Sequence, residues 1–337
     1  MAISSQDSPP QGDAVRPLSE RILASLGRPR MLWRVAWSAV ALISPFAFAA
    51  GASISDRPLG IEALANLLVT QAAISYACFV LLVGTGVLAR RAGTLSQELA
   101  ALESDGSHTD LFGRANSGAG PILLTVVVAA IVSAGGAMTY GPLGPLASLP
   151  FLFVYLVPIL TFVWVYVTIL LDLNRFGRHP LTLAGFPEDR TLGLRSIGVL
   201  ASAGLGFLLI AAAPVFIAAG DEPVTLAIGL AIVGIALAAF VASMWPLHRQ
   251  MAGAKERYVA STRRLYAEAY APMTKDASQA TLEAQSGALG AARSLDERAQ
   301  SLQTWPIDEG TLRFVAVIVS GVVTSLVVRA VFAALGV

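Results

Sequence analysis

The sequence predicts an all-α, polytopic integral membrane protein with seven transmembrane helices and a cytoplasmic helical hairpin between the sixth and seventh. Three observations carry that prediction. The first is composition: 55% of the residues are hydrophobic and 13% charged, with a mean hydropathy of +0.68, far from the balance of a soluble globular chain. The second is a set of seven apolar runs, near 33–54, 63–89, 119–140, 148–171, 196–219, 224–247 and 314–334. Each reaches the ~20 residues that a helix needs to cross ~30 Å of hydrocarbon with its backbone groups satisfied internally. The third is the placement of charge. Of the 23 Lys and Arg residues, all but Arg57 and Arg329 fall at or before the start of the first run, or in the second, fourth and sixth connections. Short loops rich in Lys and Arg stay in the cytoplasm, so the amino terminus is expected inside and the carboxyl terminus outside.

Residues 1–30 form an amino-terminal tail. Ser, Pro, Gln and Asp without periodicity predict disorder in residues 1–20. Leu18–Leu26 has the pattern of a short interfacial helix leading to Trp33 and Trp37, at the level where aromatic anchors belong. Ala47-Phe48-Ala49 resembles a signal-peptidase site, but the long polar lead and the length of the run favour an uncleaved first helix.

Residues 31–247 hold the first six spans and their short loops. The second helix is expected to continue past Arg90-Arg91 to about Glu103, because its sequence there is rich in good helix formers. A Gly- and Ser-rich loop follows from Ser104 to Ala119. Pro158 and Pro214 lie well inside the fourth and fifth runs, where each removes a backbone hydrogen bond. Cys78 is the single cysteine and lies in the second run, so no disulfide forms within one chain.

Residues 248–311 are expected to fold as the antiparallel hairpin. Met251, Tyr258 and Leu265 repeat at sevens, continuing Leu247 and Ala254, and Ala271-Pro272 is expected to end that helix. A second helix from about Ala277 to Gln303 places Leu282, Leu289, Leu295, Ala299 and Leu302 on one stripe. Trp305-Pro306-Ile307-Asp308 is expected to break the helix at the membrane surface before the last span, within residues 312–337.

The chemistry-bearing residues are few. All 22 acidic residues lie outside the runs or at their ends, which argues against a carrier coupled to protons or sodium, since these place an ionisable group near the midplane. No His-Glu-x-x-His, Gly-x-Ser-x-Gly or phosphate-binding loop is present, and the last run lacks the Lys a Schiff base would need. No cofactor, metal or nucleic acid is implied. Polar side chains do recur inside two runs. Asn66, Thr70, Gln71 and Ser75 mark the second, and Ser320, Thr324 and Arg329 the last. Buried polar groups in lipid need partners, so these faces either bond other helices or line water. Asn66, Thr70, Ser320, Thr324 and Arg329 are the candidate pore-lining residues. The fourth connection gathers Asp172, Arg175, Arg178, Arg190 and Arg195, a candidate cytoplasmic mouth or contact for a phosphate-bearing lipid or ligand.

The function expected from these features is an oligomeric membrane channel or passive pore without enzymatic activity. The alternative is a membrane scaffold or signalling component that recruits a cytosolic partner through the hairpin. An interfacial lipid enzyme built on the Asp172–Arg195 cluster is the weaker third. The implied partners are the bilayer, further copies of the chain and a cytosolic protein at 248–311.

Overall fold

In the computed structural model the described residues are 17–25, 30–53, 61–100, 112–140, 143–181, 183, 190–218, 223–275, 279–307 and 309–335. They form nine α-helices and one 3-10 turn, with no strand among them. The helices are α1 (Leu18–Ser25), α2 (Arg30–Ser53), α3 (Ile61–Ala100), α4 (Ala119–Tyr140), α5 (Leu143–Phe176), α6 (Arg195–Ala218), α7 (Pro223–Lys275), α8 (Gln279–Ser301) and α9 (Glu309–Leu335). The 3-10 turn, Gly113–Asn116, precedes α4.

The described residues of each apolar run lie within one helix. Among the described residues, five stretches are long and apolar enough to cross a membrane: Leu68–Ser96, Leu152–Phe176, Arg195–Ala218, Leu226–Ala271 and Glu309–Arg329. Ala119–Ala134 is a shorter apolar helix. The side chains of the first and third runs beyond Ser44 and Ala134 lie outside the described ones, as do residues 1–16 of the expected tail and residues 104–111 of the loop 104–119. The chain divides into two compact units. One holds residues 1–93, 110–169 and 210–225, and the other 94–109, 170–209 and 226–337.

In the first unit, polar groups tie α2, α3 and α5 together. Ser75 Oγ donates to Ser38 O at 2.6 Å, and Trp37 Nε1 donates to Val154 O at 2.9 Å. The Tyr155 hydroxyl lies 2.9 Å from Ser44 Oγ, from Ala41 O and from Gln71 Oε1, so its one proton serves two acceptors. Gln71 and Ser75 are therefore interhelical bonding groups, the use that buried polar residues in an apolar bundle require.

The expected short helix is α1, and it packs on α2. Glu20 is buried there against the Arg34 guanidinium, with Arg30 NH1 3.8 Å from its second oxygen. Gly86 of α3 makes room for the pair: a Cβ there would strike the Arg34 guanidinium and sit 2.6 Å from Glu20 Oε1. Arg21 donates to Asn116 O at 3.1 Å, fixing the other side of α1 to the 3-10 turn.

α7, which enters the second unit at Leu226, is one unbroken helix of 53 residues, about 80 Å long at 1.5 Å per residue. It passes the expected junction at Leu247 without interruption and continues through Pro272, where a stop was expected. A proline in the last turn costs that turn one hydrogen bond and cannot unravel the helix before it. Met244, Leu247, Met251 and Ala254 form its buried stripe, at the spacing the sequence shows. The stripe fades beyond Thr262, and Leu265 is 45% exposed. Among the described side chains of α8 the buried ones are Ala292 and Ala299, seven apart, while Leu295 is 44% exposed. At 100° per residue Leu295 falls at the edge of the Ala292–Ala299 face, so it does not share the expected stripe. Leu282 lies outside the described side chains.

Candidate functional site

Within the second unit, the turn after α5, the middle of α7 and the segment after α8 meet at one elbow. α5 ends at Phe176 because the chain turns back on its own carbonyls: Gly177 N donates to Leu173 O, Arg178 N to Arg175 O and His179 N to Phe176 O. Gly177 packs on α7, where a Cβ would stand 3.0 Å from Leu247 N and 2.9 Å from Leu247 Cγ. Gln250 then holds the turn. Its Nε2 donates to Gly177 O and to His179 O, both at 2.6 Å, and its Oε1 accepts from Leu181 N at 3.2 Å. One side chain thereby satisfies three backbone groups of the loop.

The segment after α8 is fixed as firmly. Lys255 Nζ donates to Gln300 O at 2.8 Å and to Leu302 O at 2.7 Å, placing a positive charge on the carbonyl end of α8, where the helix dipole favours it. His248 Nδ1 lies 2.8 Å from Thr304 O, and its ring stacks on Trp305 with centroids 4.4 Å apart. Trp245 meets both rings, at 5.3 and 6.4 Å. Gln303 N donates to Arg190 O at 2.9 Å, and the Pro306 carbonyl rests against Gly198 of α6. Upstream, Leu192 adopts a left-handed φ of 56° although it is not glycine. That strain is held by full burial of its side chain.

An open cavity of about 560 Å³ lies at this elbow, lined by Gly177, Arg178, Trp245, Pro246, Arg249 and Gln250. Arg178, Arg249 and Trp245 line it with exposed side chains, and Trp245 is 50% accessible. Among the described residues neither guanidinium meets a carboxylate.

Of the five charged residues singled out in the fourth connection, the structure brings Arg178 into this cavity. Asp172 is buried and pairs with Arg175 along α5 at 3.8 Å. Arg190 contributes its backbone carbonyl to the elbow, and Arg195 opens α6; neither lines the cavity. Sequence reasoning passed over Arg249, counting it only as an inside charge. The available signal was its spacing: Trp245 and Arg249 are four apart and share one helix face. Gln250 carried no such signal, because its partners are backbone groups some 70 positions away.

The candidate pore residues fall in both units. Asn66 is exposed and Thr70 half-buried on α3 of the first. In the second, Ser320 and Thr324 are exposed on α9, opposite its buried Val315, Val322 and Leu326, and Arg329 is half-buried. Among the described residues, no group of three or more His, Cys, Asp or Glu side chains is placed to hold a metal ion. No protein family, curated protein or solved structure matches the chain.

Proposed function

We propose that the chain is a multi-pass membrane scaffold that crosses the bilayer seven times with its amino terminus in the cytoplasm. In this reading α7 carries the sixth span straight into the cytosol, and α8 returns beside it as an antiparallel hairpin that docks a cytosolic protein. The observation that carries the reading is the distal part of α7. Beyond Thr262 that helix stays regular but exposes Leu265, Tyr266 and Tyr270 by 44 to 49%, among Arg263, Arg264 and Glu268. Tyr266 and Tyr270 stack with centroids 6.2 Å apart and planes 11° from parallel. Rigid, exposed aromatic groups with a charged surround are the composition of a protein-binding patch. Photo-crosslinking from position 270 in membranes mixed with cytosol tests it. The expected result is one discrete soluble protein that is lost with Tyr266→Ser. A product pattern equal to that from position 123 on α4 would contradict the scaffold.

A second reading, an oligomeric passive pore, is favoured by Asn66, Ser320 and Thr324, polar groups exposed within the apolar runs of α3 and α9. In a Cys78→Ala background, cysteines at 66, 70, 320 and 324 should then react with an impermeant thiol reagent. Liposomes should pass ions, and Arg329→Glu should lower the preference for anions. Four protected cysteines together with silent liposomes exclude the pore.

A further inference from the structure

We propose that the cavity lined by Arg178, Arg249 and Trp245 binds a phosphate-bearing anion, the headgroup of an anionic phospholipid. Its level along the helices is the first argument. The apolar run of α5 gives way at Asp172, and that of α7 ends at Leu247. The cavity thus opens where both helices leave the hydrocarbon, the depth of lipid phosphates. Trp245, half exposed beside it, has the amphipathic ring that settles at that depth.

Charge is the second argument. Two arginines line one cavity, and neither is neutralised by a carboxylate among the described residues. The carbonyl end of α5 opposes an anion with about half an elementary charge. That end is already bonded by the Gly177, Arg178 and His179 amides, and two full positive charges outweigh it. Guanidinium also matches phosphate oxygens in a two-pronged contact that an ammonium cannot make.

Rigidity is the third. Gln250 fixes the backbone on both sides of Arg178, through Gly177 O and His179 O, while Arg249 rises from the body of α7. Little ordering of the backbone remains to be done on binding. A volume of about 560 Å³ lies within the ordinary range for a small-ligand site.

The test uses the purified full-length protein in neutral detergent, titrated with short-chain phosphatidylglycerol and followed by native mass spectrometry. The wild type should retain one phosphatidylglycerol in preference to phosphatidylcholine of the same chain length. Arg178→Gln with Arg249→Gln should weaken retention by about tenfold or more. Arg178→Lys with Arg249→Lys, which keeps the charge and loses the fork, should fall between. Both residues are exposed, so helix content and dispersity should be unchanged in each variant. Displacement of the lipid by inorganic phosphate would assign the cavity to a free phosphate-bearing anion; persistence assigns it to the lipid headgroup. Equal retention by the wild type and the folded Gln variant would overturn the proposal, leaving the two arginines as topology signals only.

Discussion

Glu20 and Arg34 show how one buried pair can organise the start of a chain. Their side chains are 5 and 7% exposed, so removing either partner strands a charge away from water. Glu20→Gln should destabilise the protein by on the order of 3 kcal/mol. The double change Glu20→Gln/Arg34→Gln should cost less than that single one, since no bare charge remains. Thermal unfolding in detergent checks this, and a double loss equal to the sum of the two single losses would mean that the residues are not coupled. Glycines give a contrast at the same scale. At Gly198 a Cβ would strike the Pro306 carbonyl, so Gly198→Ala should cost roughly 1–3 kcal/mol and speed exchange of the Gln303 amide. Gly287 has open space around it, and Gly287→Ala on α8 should stabilise by up to ~1 kcal/mol through helix propensity. The Glu20–Arg34 pair was not legible in the sequence. Glu20 and Arg34 sit in a stretch whose charges are also explained by topology, and only tertiary packing distinguishes a buried ion pair from a solvated one.

At the scale of elements, the sequence was most legible where one physical requirement acts alone. Apolar runs must be helical in hydrocarbon, and every run lies in a helix whose ends depart from the run by a few residues, save where helices extend as amphipathic segments. Legibility fell where two rules competed. Pro272 argued for a stop, but a proline in a final turn breaks little. Leu295 looked like a seam residue by type, whereas the buried positions among the described side chains of α8 are Ala292 and Ala299. This difference predicts opposite outcomes for two similar changes. Ala299→Asp should loosen α8, raising amide exchange along 292–303, because it buries a charge without a partner. Leu295→Asp should leave exchange there within error. Lys255→Met, which strips the cap from Gln300 and Leu302, should fray the last turn of α8 by a smaller amount, about 1 kcal/mol.

At the scale of the whole molecule, membrane character follows from composition and run length, which any conformer of the chain shares. The candidate site was legible in part. Positive charge drew attention to Arg178, but its companions Arg249, Trp245 and Gln250 come from a helix far away in sequence, and no local pattern announces such a meeting. The scaffold needs 248–311 on the cytoplasmic face, with the last span leading outward. Sidedness is therefore the claim on which the scaffold depends. In intact cells carrying Cys78→Ala, a cysteine placed at exposed Ser294 of α8 should resist an impermeant thiol reagent until the membrane is opened. A reporter fused after Val337 should be active outside the cytoplasm. Labelling of Ser294→Cys in intact cells, or a reporter active only inside, would contradict the seven-span arrangement.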